Sequence, residues 1–146
     1  MAFDVAKAFK KTPIRQDQAQ IVAEIGVWSA LSDGDLEENE LGALVAAVAL
    51  VPGLENWGVP QLETLITEMN GKYAGEGQAA ARVVEIVGAL TDPGLRRCAY
   101  QLAAICAAAD GEFSDSESEF LQGLQLHFEI PDPDAEALVN EAVAAL

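Results

Sequence analysis

One stretch changes from apolar to acidic and back to apolar within fifteen residues: Ala107-Ala-Ala-Asp-Gly-Glu-Phe-Ser-Asp-Ser-Glu-Ser-Glu-Phe-Leu121. The pattern predicts a helix, a tight turn and a second helix. Asp110-Gly111 supplies the turn because Gly tolerates the positive φ that ends a helix. Ser114 and Glu117 have the Ser-x-x-Glu spacing of a capping box, which opens the next helix. The stretch therefore predicts a helical hairpin closed by an acidic turn.

The same pattern occurs earlier, in Ala30-Leu-Ser-Asp-Gly-Asp-Leu-Glu-Glu-Asn-Glu-Leu-Gly-Ala-Leu44. A shift of 77 positions superposes the two stretches, and it pairs Asp33 with Asp110, Gly34 with Gly111, Asp35 with Glu112 and Glu40 with Glu117. This repeat predicts two related helical units, residues 13–72 and 93–146, with a helix over 78–90 between them.

Apolar residues recur at helical spacing through most of the chain, and no segment alternates in the manner of a β-strand. The sequence predicts an all-α fold of seven or eight helices, with the two units related by a pseudo-twofold axis in one compact bundle. Thr12-Pro13 is typical of a helix start. The helix over 37–51 is apolar on almost every side after its acidic start, so we expect it to be the central helix.

Length and charge limit the classes of partner. The 146 residues, 51% of them apolar, suit a single domain over 1–146 with its own core. A net charge of -16 repels phosphate backbones and anionic lipids, whereas it attracts divalent cations and basic protein surfaces. Residues 1–11 lack the apolar region of a signal peptide, and no run of about 18 apolar residues could span a bilayer. We therefore expect a cytoplasmic protein without nucleic-acid partners or membrane insertion.

The residue types of a catalytic site are not combined in this sequence. A nucleophile needs a neighbouring base, but the only histidine, His127, lies near the end of a predicted helix, where a cation complements the helix dipole. Cys98 and Cys106 are eight residues apart on one predicted helix, about 12 Å, which is too far for a disulfide. We predict that both are small core residues. The sequence thus indicates a protein that is not an enzyme.

The motif Ala-Asp-Gly-Glu-aromatic-Ser with a Glu three residues after the Ser resembles the signature of the TerB-like (tellurite-resistance protein B) family. The resemblance is most specific over residues 98–130 and weaker over 20–54, where Ser32 precedes the Asp and Glu37 replaces the capping Ser. It implies a helical, non-enzymatic, metal-associated stress-response module. Carried over to this sequence, it implies a metal site at Asp33, Glu40, Asp110 and Glu117, with Asp35 and Glu112 as outer metal or turn residues.

Two interpretations of the acidic turns follow. Carboxylate ligands select hard cations of the Ca²⁺ or Mg²⁺ class, although the spacing does not match the twelve-residue EF-hand loop. Alternatively, Asp-Gly only closes a helical hairpin and the Glu only caps the next helix. In that case the protein is an acidic interaction module or scaffold, and a basic partner docks on its charged surface.

Overall fold

The computed structural model describes residues 14–31, 38–75, 77–107 and 115–144. Within these ranges the chain forms seven α-helices and no β-strand, which confirms the predicted all-α class. In chain order the helices are α1 (Gln16–Ala30), α2 (Glu38–Val48), α3 (Val59–Lys72), α4 (Gln78–Ala89), α5 (Pro93–Ala107), α6 (Asp115–Phe128) and α7 (Asp132–Ala144). None of the seven is long and apolar enough to cross a membrane.

Helices α1 and α5 form the centre of the bundle. Nine of the fifteen residues of α1 and ten of the fifteen of α5 are buried. Small residues let the two backbones approach closely. A Cβ added to Gly26 would lie 3.2 Å from the Cys106 sulfur, and the Ser29 hydroxyl donates a 2.8 Å hydrogen bond to the Ala103 carbonyl.

These two contacts are reciprocal. Adding 77 to 26 gives 103, and adding 77 to 29 gives 106, so each contact becomes the other when the two helices are exchanged. Such exchange is the property of a twofold interface, in which residue i contacts j and j contacts i. The helix bounds follow the same register, because α1 and α5 begin and end 77 residues apart, and so do the first residues of α2 and α6.

The prediction of a central helix over 37–51 was wrong. Helix α2 packs against α1, α3 and α5 at the edge of the bundle, and Leu50, just beyond it, is 40% exposed. Leu44, Ala47 and Val48 are buried, whereas Gly42 and Ala46 face outward. The apolar residues of α2 that face outward are thus small, and small side chains leave little apolar area in water when exposed. Composition alone therefore overstated its burial.

The third helices of the two units pack differently. Helix α7 lies along α5, where Gln101 Nε2 donates to the Leu138 carbonyl at 3.1 Å and Arg97 Nη2 lies 2.8 Å from Asp134 Oδ2. Helix α3 packs against α2 and, among the described residues, is less closely packed against α1. The 77-residue register also stops here, since α7 begins 73 residues after α3. A groove is left between α1 and α3.

Helix α1 begins later than the sequence indicated. Thr12-Pro13 lies outside the described residues, and the helix starts at Gln16. The Arg15 backbone N–H donates to Gln18 Oε1 at 2.9 Å. The side chain of the third helical residue thus accepts a hydrogen bond from the backbone N–H just before the helix, as in one half of a capping box.

Candidate functional site

The structure describes only part of the predicted metal site. Glu117 lies in the first turn of α6, where it is buried with 4% of its surface exposed. Glu40 lies in the first turn of α2, and its side chain is outside the described part. The four remaining predicted residues lie outside the described ranges: Asp33, Asp35, Asp110 and Glu112.

The helices that carry the two acidic turns are closely associated. One turn connects α1 to α2, and the other connects α5 to α6. The reciprocal contacts at Gly26 and Cys106, and at Ser29 and Ala103, lie within four residues of the ends of α1 and α5. Bond lengths and helix rise then limit the distance between the Cα atoms of Ala30 and Ala107 to about 17 Å.

The described residues form no metal-binding cluster outside the acidic turns. Within residues 14–31, 38–75, 77–107 and 115–144, no group of three or more His, Cys, Asp and Glu is arranged to hold a metal ion. Of the six predicted site residues, Glu117 is the one whose side chain is described there.

Both cysteines are buried free thiols, which confirms their predicted place in the core. Burial raises the pKa of the Cys106 thiol to about 12, and burial with the charge of Asp92 raises the pKa of the Cys98 thiol to about 12. Thiols with such values stay protonated at neutral pH, so neither supplies a thiolate. His127 lies in the last turn of α6, as predicted.

A second candidate site is the groove between α1 and α3, which we call the α1–α3 groove. Its volume is about 570 Å³, within the usual range of ligand sites. Ile21 of α1 lines it together with Trp57, Leu65 and Met69 of the opposite wall. Exposed polar side chains border this apolar lining, among them Asp17 and Glu68.

Two contacts indicate that α1 and α3 run in the same direction. Near the start of α1, Gln16 Oε1 would lie 3.0 Å from a Cβ on Gly53, which is six residues before α3. At the other end Tyr73, which follows α3, has its ring centroid 6.2 Å from that of Trp28. The groove therefore extends along both helices.

An ion pair closes the floor of the groove at the Tyr73 end. Arg82 of α4 donates from Nε to Glu24 Oε2 at 2.9 Å and from Nη2 to Glu24 Oε1 at 3.0 Å, and Trp28 Nε1 donates to the same carboxylate at 3.0 Å. The hydrogen bonds that Arg82 donates to the Glu24 carboxylate are the main reason why the pKa of Arg82 is raised. The guanidinium also lies 5.4 Å from the centre of the Tyr73 ring, within cation–π range. This Glu24–Arg82 pair joins α4 to α1.

The equivalent position in the other unit explains why the described helices leave a groove here. Adding 77 to 24 gives 101, so Glu24 corresponds to Gln101. Gln101 is covered by α7, since its Nε2 reaches the Leu138 carbonyl and Glu141 Oε2. In the first unit α3 does not cover the equivalent surface of α1, and the Glu24 carboxylate accepts hydrogen bonds from Arg82 instead. The groove therefore lies on the surface of α1 that is equivalent to the surface of α5 covered by α7.

Sequence reasoning missed this groove, although one signal was present. Glu24 interrupts the otherwise apolar run Ile21–Val27, and a charge in a buried stripe requires a partner. Its partner is 58 residues away, and local spacing gives no indication of such a pair.

Comparison with known proteins identified no relative of this chain. No family model matches the chain, and comparison with curated proteins and with solved structures gives no significant match. What the chain binds must therefore be inferred from its own residues.

Proposed function

We propose that this chain is a non-enzymatic, TerB-like protein of a tellurite-resistance or general stress system, and that it binds a divalent cation between its two acidic turns. The proposed ligands are Asp33, Glu40, Asp110 and Glu117, with Asp35 and Glu112 as outer residues. The observation that carries the proposal is the reciprocal crossing of α1 and α5 close to the ends from which both turns leave.

Electrostatics favours a cation in such an arrangement. Two carboxylates about 6 Å apart repel by roughly 3 kcal/mol at an effective dielectric near 20, so four of them need compensation. Between Arg15 and Lys72 the sequence contains no Lys or Arg, and hence no local base to neutralise the first turn. A divalent ion would supply that charge, and an all-oxygen ligand set selects the Ca²⁺ or Mg²⁺ class.

The non-enzymatic part of the proposal rests on the chemistry of the available groups. Both cysteine thiols are buried with a raised pKa. The only histidine lies at a helix end, and it has no adjacent nucleophile in the sequence. Carboxylates remain as the abundant functional groups, and they suit binding of cations.

Thermal unfolding with added ions tests the cation site. Millimolar Ca²⁺ or Mg²⁺ should raise the melting temperature, because an ion that binds only the folded state adds about 2.7 kcal/mol at 100 times its Kd. Asp33→Asn with Asp110→Asn should abolish the response without lowering the ion-free melting temperature, since Asn closes such turns about as well as Asp and the variant has less repulsion between carboxylates.

The matched control is Glu63→Gln with Glu136→Gln, which removes the same number of charges from exposed positions outside the turns. This control should keep the full response to ions. A wild-type melting temperature that neither ion changes would contradict the cation proposal.

A second candidate function is an acidic interaction module whose turns are only structural. The observation that favours it is the uneven charge of the part of the chain that forms the α1–α3 groove. Ten acidic residues and no base lie between Arg15 and Lys72: Asp17, Glu24, Asp33, Asp35, Glu37, Glu38, Glu40, Glu55, Glu63 and Glu68. A basic partner bound here should be released by high salt, which screens exposed charges.

The same charge leads to a prediction about nucleic acids. DNA and RNA affinity comes largely from Lys and Arg that displace counterions, and this chain has 8 such residues against 24 acids. We expect no retained complex in a mobility-shift assay at physiological salt. Tight binding that is independent of nucleic-acid sequence would contradict this expectation.

A further inference from the structure

We propose that the α1–α3 groove binds one basic, amphipathic α-helix of a partner protein. The inference rests on the second candidate function for the charge of the partner and is independent of the cation site. It goes further than that candidate because it names the docking surface and the secondary structure of the occupant.

The comparison within the molecule indicates a helix as the occupant. In the second unit, α7 lies along α5 and covers Gln101. In the first unit the equivalent surface of α1, around Ile21 and Glu24, faces the groove. A surface whose counterpart packs against a helix has the shape and spacing to accept one.

The dimensions of the groove suit the apolar face of a short helix. From Gln61 to Lys72 the wall formed by α3 extends about 16 Å at 1.5 Å per residue, which is about three helical turns. A helix bound in a groove inserts side chains at positions i, i+3, i+4 and i+7. Ile21, Leu65, Met69 and Trp57 provide the apolar surface for these anchors.

Charge indicates that the exposed face of the bound helix is basic. Glu24 on the floor is already paired with Arg82, so the apolar face of a partner meets no uncompensated charge there. Asp17 and Glu68 lie on the rim, where Lys72 at the Tyr73 end is the one exposed base of the lining, within a chain of net charge -16. Lys and Arg on the flanks of the helix would therefore be attracted locally by Asp17 and Glu68, away from the Lys72 end, and at a distance by the net charge of the chain.

Contacts among the described residues hold the walls of the groove in place. The Glu24–Arg82 pair fixes α4 to α1, and Tyr73 stacks on Arg82 at the end of α3. Preorganisation of this kind lowers the cost of ordering on binding. Both tryptophans of the chain report on the region, because Trp57 lines the groove and Trp28 donates to Glu24.

The test uses the full chain and a synthetic peptide of about 14 residues, made only of Leu and Lys, with Leu at the i, i+3, i+4 and i+7 positions of a helix. Because the peptide lacks tryptophan, the protein's own fluorescence should change saturably on binding, and calorimetry should give the affinity. Circular dichroism should show that the peptide becomes helical in the complex. A peptide of the same composition with Leu and Lys scrambled should bind at least about tenfold more weakly, because it has no continuous apolar face.

Matched variants locate the binding surface. Thr64→Phe adds bulk from an exposed groove position without disturbing the core, and it should weaken peptide binding about tenfold or more. Glu68→Lys should weaken binding several-fold more than Glu63→Lys, which makes the same charge change on the same helix outside the groove lining. Leu65→Ser should weaken binding, whereas Leu126→Ser, at a position 77% exposed on α6, should not.

The outcomes separate this inference from the function on which it rests. Equal binding of both peptides, with equal effects of Glu68→Lys and Glu63→Lys, would keep an acidic docking module but overturn the groove as its site. No binding of either peptide would overturn both. Concentration-dependent dimers that Thr64→Phe disrupts, with no peptide binding, would assign the groove to a second copy of this chain and overturn the partner helix.

Discussion

Arg82→Ala is expected to lower the free energy of unfolding by about 3–5 kcal/mol, because it leaves the Glu24 carboxylate charged and without its cation. The Glu24 side chain is only 9% exposed, and Arg82 satisfies both of its oxygens. Trp28 Nε1 would remain as a neutral donor to one oxygen. For a chain of this length the melting temperature should fall by on the order of 10 °C. Urea titration monitored by circular dichroism measures the change.

An exposed ion pair provides the control. Arg15 and Asp17 lie two residues apart, and their side chains are 74% and 65% exposed. Solvent screens such a pair, so Arg15→Ala should change the melting temperature little. If Arg82→Ala melts like Arg15→Ala, the Glu24–Arg82 pair does not hold α4 to α1.

The double variant tests the cause of the loss. Glu24→Gln removes the charge and keeps an oxygen that can accept from Trp28, and Gln also stands at the equivalent position 101. Glu24→Gln with Arg82→Ala should therefore be more stable than Arg82→Ala alone. Effects that simply add would show that the loss comes from packing of the arginine side chain and not from an unpaired charge.

Local sequence signals predicted most of the helices because each signal acts within a few residues. The capping-box spacing of Ser114 and Glu117 predicted a helix after the second acidic turn, and α6 begins at Asp115. A helix was predicted over 78–90, and α4 spans Gln78–Ala89. The 77-residue repeat anticipated the shared register of α1 and α5, since equivalent residues at equivalent spacing form equivalent helices.

Long-range packing was less predictable from the same signals. The apolar run after Glu37 suggested a central helix, yet α1 and α5 are the most buried helices. Their buried polar residues Glu24, Ser29 and Gln101 have hydrogen-bond partners inside the bundle. The position of α3 depends on such tertiary contacts, so hydrophobic periodicity could not reveal the groove. The shared metal site of the four carboxylates in the acidic turns stays a prediction from sequence.

Gly26→Leu is expected to lower the free energy of unfolding by about 3 kcal/mol, because the crossing of α1 and α5 has no room for a side chain. A Cβ at this position would already lie 3.2 Å from the Cys106 sulfur and 3.8 Å from a Leu102 methyl carbon. Leucine has a higher helix propensity than glycine by nearly 1 kcal/mol, and overpacking must exceed that gain. Urea titration of the purified variant measures the net effect.

Gly42→Leu is the matched control on α2. A Cβ there meets no atom within 4 Å among the described residues, and the position is exposed. Only the gain in helix propensity applies, so this variant should be at least as stable as the wild type. If both leucine variants have the same stability, the close approach at Gly26 is not required by the fold.

The reciprocal contact allows a sharper test of the pseudo-twofold relation. Position 26 corresponds to Ala103, and position 106 corresponds to Ser29, whose hydroxyl donates to the Ala103 carbonyl. The double variant Gly26→Ala with Cys106→Ser therefore gives the contact between positions 26 and 106 the same two residue types, Ala and Ser, as the contact between Ala103 and Ser29. In Gly26→Ala alone the added Cβ presses on the sulfur and offsets part of the gain in helix propensity, and the smaller hydroxyl oxygen should relieve that contact. The double variant should be more stable than the sum of the single effects by about 1 kcal/mol, whereas Gly42→Ala with Cys106→Ser should be additive. Additivity in both pairs would contradict the equivalence of the two contacts.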